Sequence, residues 1–525
     1  MRFPHYQFSE SGALSRRAFV IGTSSLAAAA LWSTRAVGTV VRRPVFSDYP
    51  FSLGVASGDP SPDGFVLWTR LAPAPLVGGG MPQETVEVSW MIADDERFSK
   101  GVRKGTTVAR PDWGHSVHVE VEGLEPDRWY WYQFRAGEQV SPKGRARTMP
   151  GLGTMPDRLN FAFASCQNYE QGYYTAFEHM ARENLDLIIH LGDYIYEYGG
   201  RDNRVRKHTG SEIYSVEDYR NRYALYKSDP ALQAAHAAAP WLVTWDDHEV
   251  DNNYAGEISE EAGVSAEAFR LRQANAYKAY YEHMPLRRAS LPRGPDMKLY
   301  RDVSFGSLAD FFVLDTRQYR TDQPCGDNRA VLCDEAMNPE NTMLGREQRD
   351  WLISGMEQSN SEWNVLAQQV MVAALDRLAG DEVGFSMDKW TSSEVERREL
   401  LKFMGRPEIR NPVVLTGDIH SNWANELLLD FEDLDSRPVG TEFVGTSISS
   451  GGDGRPQPAN YDAIVSENPF VKFHNTERGY VLCNVSQNEW KTHYRTVDYV
   501  TQKGAPIRTR ESFVVENGRP KLNRI

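Results

Sequence analysis

Long apolar runs are missing from this chain. The nearest to one, Val20 to Trp32, falls short of the ~20 residues that a membrane-spanning helix needs, which excludes an integral membrane protein. Positive charge is in deficit too: 58 Lys and Arg stand against 72 Asp and Glu, a formal net charge of -14. The deficit deepens once the N-terminus is set aside, where Arg2, Arg16, Arg17 and Arg35 face Glu10 alone. Such a surface repels polyanions, so no stable nucleic-acid complex is expected, while a small phosphate ester in a locally cationic cleft stays allowed. Cysteine is scarce, four in 525 residues, which excludes a disulfide-dense scaffold. Cys325 and Cys333 flank the polar loop GDNRAVL and read equally as a local disulfide or as two free thiols. Cys483, in GYVLCNV, reads as core filler.

What is present is a folded globular composition, 41% apolar and 11% aromatic, long enough for roughly two to three domains. Residues 1–38 carry a targeting pattern: Ser15, Arg16, Arg17, Ala18 and Phe19, a mild apolar run, then small residues from Ala36 to Gly38. Paired arginines with Phe two positions on resemble a twin-arginine signal, which makes the twin-arginine export machinery a partner and the location periplasmic or secreted.

Residues 44–150 alternate in short strands (FVLWTRL, VEVSWMI, HSVHVEVE, WYWYQFRA) between Gly, Pro and Asp clusters, the pattern of an all-β sandwich. Leu124, Pro126 and Tyr130 have the spacing of the tyrosine corner of immunoglobulin-like and fibronectin-like modules. MPGLGTMPDR, 149–158, reads as the boundary. From 157 to 510 strands and helices alternate, an α/β pattern. Helices are expected at 171–184 and near 265–284, a polar Tyr-rich excursion at 198–226, and strands at LNFAFASC, LDLIIHLGD, PWLVTWDD, LADFFVLDTR, EWNVLAQQVMV, NPVVLTGD, TEFVGTSI and GYVLCNV.

Four of these strands end in chemistry: FASC, LGDYIY, WDDHE and TGDIH. A parallel sheet delivers scattered residues to one edge in this way. The set Cys166, Asp193, Tyr196, Asp247, Asp418 and His420, with His248 beside it, mixes thiolate, carboxylate, phenolate and imidazole, which suits a hard metal centre. Read singly, each motif has a plainer meaning: an ordinary turn, a solvated acidic loop, a core cysteine. Asp193 is the carboxylate placed to bridge two ions. His248 is left free of metal, poised to protonate a leaving alkoxide. Asp418 and His420, alternate residues of an extended segment, are expected to face one site. Arg317, in VLDTRQYR, is the candidate phosphate clamp because its fork grips two oxygens; an ion pair is the competing reading. Asn168, Asn252 and Asn253 are further candidate contacts.

GDxxY, the Asp-His pair and the terminal GDxH resemble the metallophosphoesterase superfamily that includes purple acid phosphatases. The combination FASC, GDYIYEYG, TWDDHEVDNNYAG, LDTRQYR and LTGDIHSNW resembles, more narrowly, the alkaline phosphatase D (PhoD) family over most of the chain. The resemblance implies a four-layer αββα catalytic core behind the β-domain, and phosphomonoesterase or phosphodiesterase activity at an iron-plus-calcium centre. It implies Fe3+ held by Cys166, Asp193, Tyr196 and His420, and Ca2+ held by Asp193, Asp247 and Asp418. In the wider superfamily Asp, Asn and His usually stand where this chain has Cys166, Asp247 and Asp418. A further metal-binding His is usual before GDIH, where WNVLAQQ offers Gln368 and Gln369 instead.

The expected activity is hydrolysis of small phosphate esters by attack of a metal-bridging hydroxide. Two alternatives stand beside it: a phospholipase D-like diesterase whose preference lies in the loops 198–226 and 320–345, and a non-catalytic extracellular binding protein stapled by metal.

Overall fold

The computed structural model describes residues 40–378, 380–458 and 460–525. The expected twin-arginine signal lies outside them. Among the described residues no helix is long and apolar enough to cross a membrane.

Three strands, Leu159–Ala164, Leu187–Leu191 and Trp241–Thr244, are apolar nearly throughout, as strands covered on both faces must be. They pair in parallel, with Leu187 opposite Phe161 and Ile188 opposite Trp241, at the centre of a ten-stranded sheet. A second sheet of seven strands has its own parallel centre, Ala309–Val313, Trp363–Ala367, Pro412–Thr416 and Pro438–Val444.

Side chains alternate across each sheet, and three buried clusters follow from that alternation. Phe161, Phe163, Ile189 and Leu242 meet Phe311, Val365, Val413 and Phe443 between the sheets. On the outer face of the first sheet, Ala162, Ile188 and Val243 pack against Phe177, Tyr219, Tyr223, Leu232 and Tyr277 from four helices. On the outer face of the second, Phe312, Leu366 and Val414 pack against Leu352, Met356, Leu400 and Leu401. Each fully buried side chain of this size contributes about 1.5–3 kcal/mol relative to exposure.

Two helical segments differ from the sequence reading. The helix expected at 171–184 is only Thr175–Met180, begun at Tyr174 with no side-chain cap. The Tyr-rich excursion ends in a helix, Val216–Lys227, started by a capping box in which Ser215 and Asp218 satisfy each other's backbone N–H groups. Its buried face is built from Tyr219, Tyr223 and Tyr226, so an apolar-residue count passes over it. The helix near 265–284 is Ala266–His283, capped by Ser265.

The N-terminal strands pair as the alternation requires, but they are not closed off from the rest. Val55–Ser61, Gly64–Arg70 and Ser116–Val121 continue the ten-stranded sheet, and five others, from Val86–Ala93 to Gly144–Arg147, form a sheet facing them across a core of Phe65, Leu67, Val88, Ile92 and Tyr132. Gly58 sits at the joint, opposite Trp241. A Cβ there would meet the carbonyl oxygens of Pro285 at 2.5 Å and Trp241 at 2.8 Å, so the close approach requires glycine. Tyr130 closes a tyrosine corner, its hydroxyl accepting the Glu125 N–H at 3.0 Å.

Candidate metal centre

Four strand ends converge where the two sheets meet. Cys166 follows Leu159–Ala164, Asp193 and Tyr196 follow Leu187–Leu191, Asp247 and His248 follow Trp241–Thr244, and Asp418 and His420 follow Pro412–Thr416. The first three strands lie in one sheet and the fourth in the other, so the site belongs to a seam between sheets and not to one sheet edge. The seam is stitched by a parallel bridge between Ser165 and Ser447. Gly417 lies so close that a Cβ would meet the Ser165 side chain at 2.8 Å.

Cys166, Asp193, Asp418 and His420 all have left-handed backbone, φ 55° to 61°. Each such residue costs about 1–3 kcal/mol and persists only where surrounding structure holds it. The expected extended Asp418-x-His420 is corrected by this geometry: the bends send the two side chains to different donor groups.

The first group is Cys166, Asp193 and His420, whose ligand atoms lie within 4.8 Å of one another. Tyr196 joins it, its hydroxyl 2.7 Å from Asp193 Oδ2 and 3.1 Å from His420 Nε2. The second group is Asp246, Asp247 and Asp418, equally close, and a third combination, Asp193, Asp247 and His248, spans the space between. All six expected ligands and His248 are therefore together.

The donor set fits metal. Asp193 is buried, and its Oδ1 has no hydrogen-bond partner; Asp246 Oδ2 is in the same position. An unmatched buried carboxylate oxygen is costly unless a cation uses it. Burial pushes the Cys166 thiol and the Tyr196 phenol well above their ordinary ranges, and the Asp193 carboxylate adds to both. Neither would ionise unaided, whereas a coordinating cation deprotonates such groups outright. Cys166, Tyr196, Asp193 and His420 offer mixed sulfur, oxygen and nitrogen donors, and the second group offers oxygen alone, as hard cations prefer. A fourth acidic group, Glu212, Asp251 and Glu261, is different in kind, because Arg272 pairs with Glu212 at 2.7 Å and Asp251 at 3.0 Å.

His248 is held by Glu197, Nδ1 to Oε2 at 2.7 Å, with its ring 4.1 Å from that of Tyr196. Burial opposes its charge, but Glu197, Asp193 and Asp247 outweigh burial and hold its pKa well above the usual imidazole value. For Asp247, burial pushes the carboxyl up to about 6 against the pull of Arg317 and His248. The Asn253 N–H donates to Asp247 Oδ2 at 2.7 Å.

Arg317 does not lie open to substrate. It is fully buried, with Nε on Asp246 at 2.5 Å, Nη1 and Nη2 on Asp388 at 2.6 and 3.0 Å, and Nη2 also 3.4 Å from Asp418 and 3.6 Å from Asp247. Its fork is spent on carboxylates, so the phosphate-clamp expectation is corrected to that of a buried support beneath the second group. Gln368 and Gln369 are likewise spent, Gln368 on Thr416 and Trp390, Gln369 on Thr244, Trp245, Leu314 and Thr316. Asn168 contacts the Tyr198 hydroxyl on the wall of the site, and the Asn252 and Asn253 amides turn to Glu260.

The sequence reading assigned Asp246 and Glu249 no role beyond flanking the Asp247-His248 pair, and Glu197, Asp388, Lys389 and Ser450 none at all. Glu249 accepts the N–H groups of Asp193, Tyr194 and Asp246, bracing two of the loops together. Glu197 and Glu249 stand inside motifs already singled out, and their excess of buried charge was the available sign. Asp388 and Lys389 sit in a polar loop with none. That loop is anchored by a two-stranded pairing of Arg329–Ala330 with Phe385–Ser386, and the first of these strands lies inside the loop closed by a Cys325–Cys333 disulfide.

Comparison with known proteins identifies the family. The PhoD-like phosphatase family profile matches residues 161–494, and the profile of that family's N-terminal domain matches 37–150. Alkaline phosphatase D of Bacillus subtilis (strain 168) is 51% identical, over 98% of this chain and 90% of that protein. A solved structure described as PhoD superposes with a TM-score of 0.90 at 53% identity, over 92% of this chain and 93% of the other. The chain belongs to the PhoD-like phosphatase family and is a phosphoric ester hydrolase.

Proposed function

We propose that the protein is an exported, metal-dependent phosphatase acting on both phosphomonoesters and phosphodiesters. The observation that carries this reading is the shared carboxylate Asp193: it belongs to two donor groups at once and keeps a buried oxygen without a protein partner. Fe3+ is assigned to Cys166, Asp193, Tyr196 and His420, and Ca2+ to Asp193, Asp247 and Asp418. Bound there, the two ions would neutralise phosphoryl oxygens and acidify a water as nucleophile.

The chain's own residues do the rest. Glu197 fixes His248 through Nδ1 and keeps it protonated, so His248 donates to the departing alkoxide. Arg317 and Asn253 fix Asp247, and Glu249 holds the backbone that presents Asp193. Export through the twin-arginine machinery, to the periplasm or outside the cell, rests on Arg16, Arg17 and Phe19. The catalytic unit, 157–510, is read as a four-layer αββα metallophosphoesterase sandwich, supported by the order of the buried clusters, with residues 44–150 as an immunoglobulin-like β-domain.

Hydrolysis of p-nitrophenyl phosphate and of bis-p-nitrophenyl phosphate, each with and without a calcium chelator, tests the proposal. Both substrates are expected to turn over, and chelation to stop both. Activity indifferent to chelation removes the second ion from the scheme, and a rate on one substrate alone narrows the activity to that ester class.

A further inference from the structure

Asp418 is engaged by protein cations at both oxygens: Arg317 Nη2 faces Oδ1 at 3.4 Å, and Lys389 Nζ is bonded to Oδ2. The two cations are held differently. Arg317 is wholly buried and locked by Asp246 and Asp388. Lys389 lies at the edge of the site, its side chain 12% exposed, and its other bond, to Asp388 Oδ2, is a longer 3.3 Å. Asp388 is already satisfied by the Arg317 fork and by Arg320 at 2.9 Å, so it loses little if Lys389 leaves. Lysine is a compact charge on a flexible stem, able to move where a locked guanidinium is not.

Phosphate, meanwhile, needs a cation from the protein. Arg317 and Arg320 are spent on carboxylates, and Arg478 gives Nε to the Gly452 carbonyl and Nη1 to the His420 carbonyl and Ser447. We propose that Lys389 is the phosphate-binding side chain of this centre and that it shares Asp418 Oδ2 with the second metal ion. On metal binding the ammonium gives up that oxygen and turns to a phosphoryl oxygen of the substrate or product. This rests on the two-ion reading above. It makes Asp418 an exchange point at which calcium and phosphate binding favour each other, because the cation that calcium displaces is the one phosphate takes up.

The arrangement gives opposite signs for one substitution. In Lys389→Gln the competitor for Asp418 and the nearby repulsive charge are both gone, so calcium is expected to bind roughly tenfold tighter. Inorganic phosphate, added to the calcium-saturated protein, is expected to bind roughly tenfold more weakly through loss of a charge-assisted hydrogen bond. Lys389→Arg keeps the charge and moves the donor, so calcium affinity should hold and phosphate affinity fall about threefold. Calorimetric titration of calcium, then of phosphate, into full-length protein of matched iron content reads both constants. Calcium and phosphate weakening together in Lys389→Gln would make Lys389 a brace for Asp418 and overturn the proposal, as would unchanged phosphate affinity. Should Lys389→Gln not fold, unchanged phosphate binding in Lys389→Arg overturns it equally. Wild-type protein that binds no calcium at all instead removes the two-ion reading on which the proposal stands.

Discussion

The two halves of the centre are anchored by opposite means. The Cys166, Asp193, Tyr196 and His420 half is placed by left-handed backbone at Cys166, Asp193 and His420 and by neutral hydrogen bonds to Ser165 and Ser450, and burial holds its thiol and phenol well above their ordinary pKa ranges. The Asp246, Asp247 and Asp418 half shares that backbone at Asp418 alone and is placed mainly by cations, with Arg317, Arg320 and Lys389 threaded among these carboxylates and Asp388.

The sharpest test falls where the halves meet. His248→Ala should leave iron and calcium contents unchanged by elemental analysis while turnover drops about 10³-fold, the size of a lost general acid. A variant with normal turnover would take His248 out of the chemistry. Next in size, Arg317→Met leaves Asp246 without its buried partner and Asp388 with Arg320 and Lys389, and should cost about 3–5 kcal/mol in denaturant unfolding. Cys166→Ser, in the strained half, should cost about 1 kcal/mol in the same experiment. Reversed magnitudes would dissolve the contrast between strain and counter-charge.

Tyr196→Phe should remove the visible absorption of phenolate on ferric iron and lower iron affinity roughly 10–100-fold, because it also frees Asp193 Oδ2. Colour surviving in that variant would require another ligand. The smallest effect concerns a buried cation outside the centre. Lys227 lies over the Trp68 ring, bonded to Tyr194 and His236, and burial alone pulls its pKa down to about 7. Its folded pKa is depressed, so the unfolded chain binds more protons between pH 7 and the ordinary lysine value of 10.5, and stability rises with pH across that window. Lys227→Met is therefore expected to gain about 1–2 kcal/mol at pH 6, with the gain fading as pH approaches 10. A constant gain across pH would show that folding leaves the Lys227 pKa unshifted.

The strand ends were legible because a buried parallel strand writes itself as an unbroken apolar run, and the charge that follows LIIHL or WLVT has nowhere to hide. That route led to Cys166, Asp193, Asp247 and Asp418. It could not tell that Pro412–Thr416 belongs to a second sheet, since both sheets share one sequence pattern. Nor could it see Arg317 spent on Asp388, a pairing 71 residues away along the chain. The Val216–Lys227 helix hid behind tyrosines, whose rings bury as apolar residues do while their hydroxyls read as polar. Asp388 and Lys389 matter only through what they touch, and touching is a property of the fold.

The glycine joint at residue 58 bears on how this molecule could be taken apart. The N-terminal strands share hydrogen bonds with the hydrolase sheet, and further ties cross over, among them Trp68 to the Glu282 carbonyl, His118 to the Tyr281 and Met284 carbonyls, and Asp59 to Arg301. Trimming the chain at residue 150 would bare the flank of Trp241–Thr244, inviting edge-to-edge aggregation, and strip contacts from the helix Ala266–His283. The leading third works less as a detachable appendage than as the side wall of the building, and recombination with unrelated modules would have to cut elsewhere.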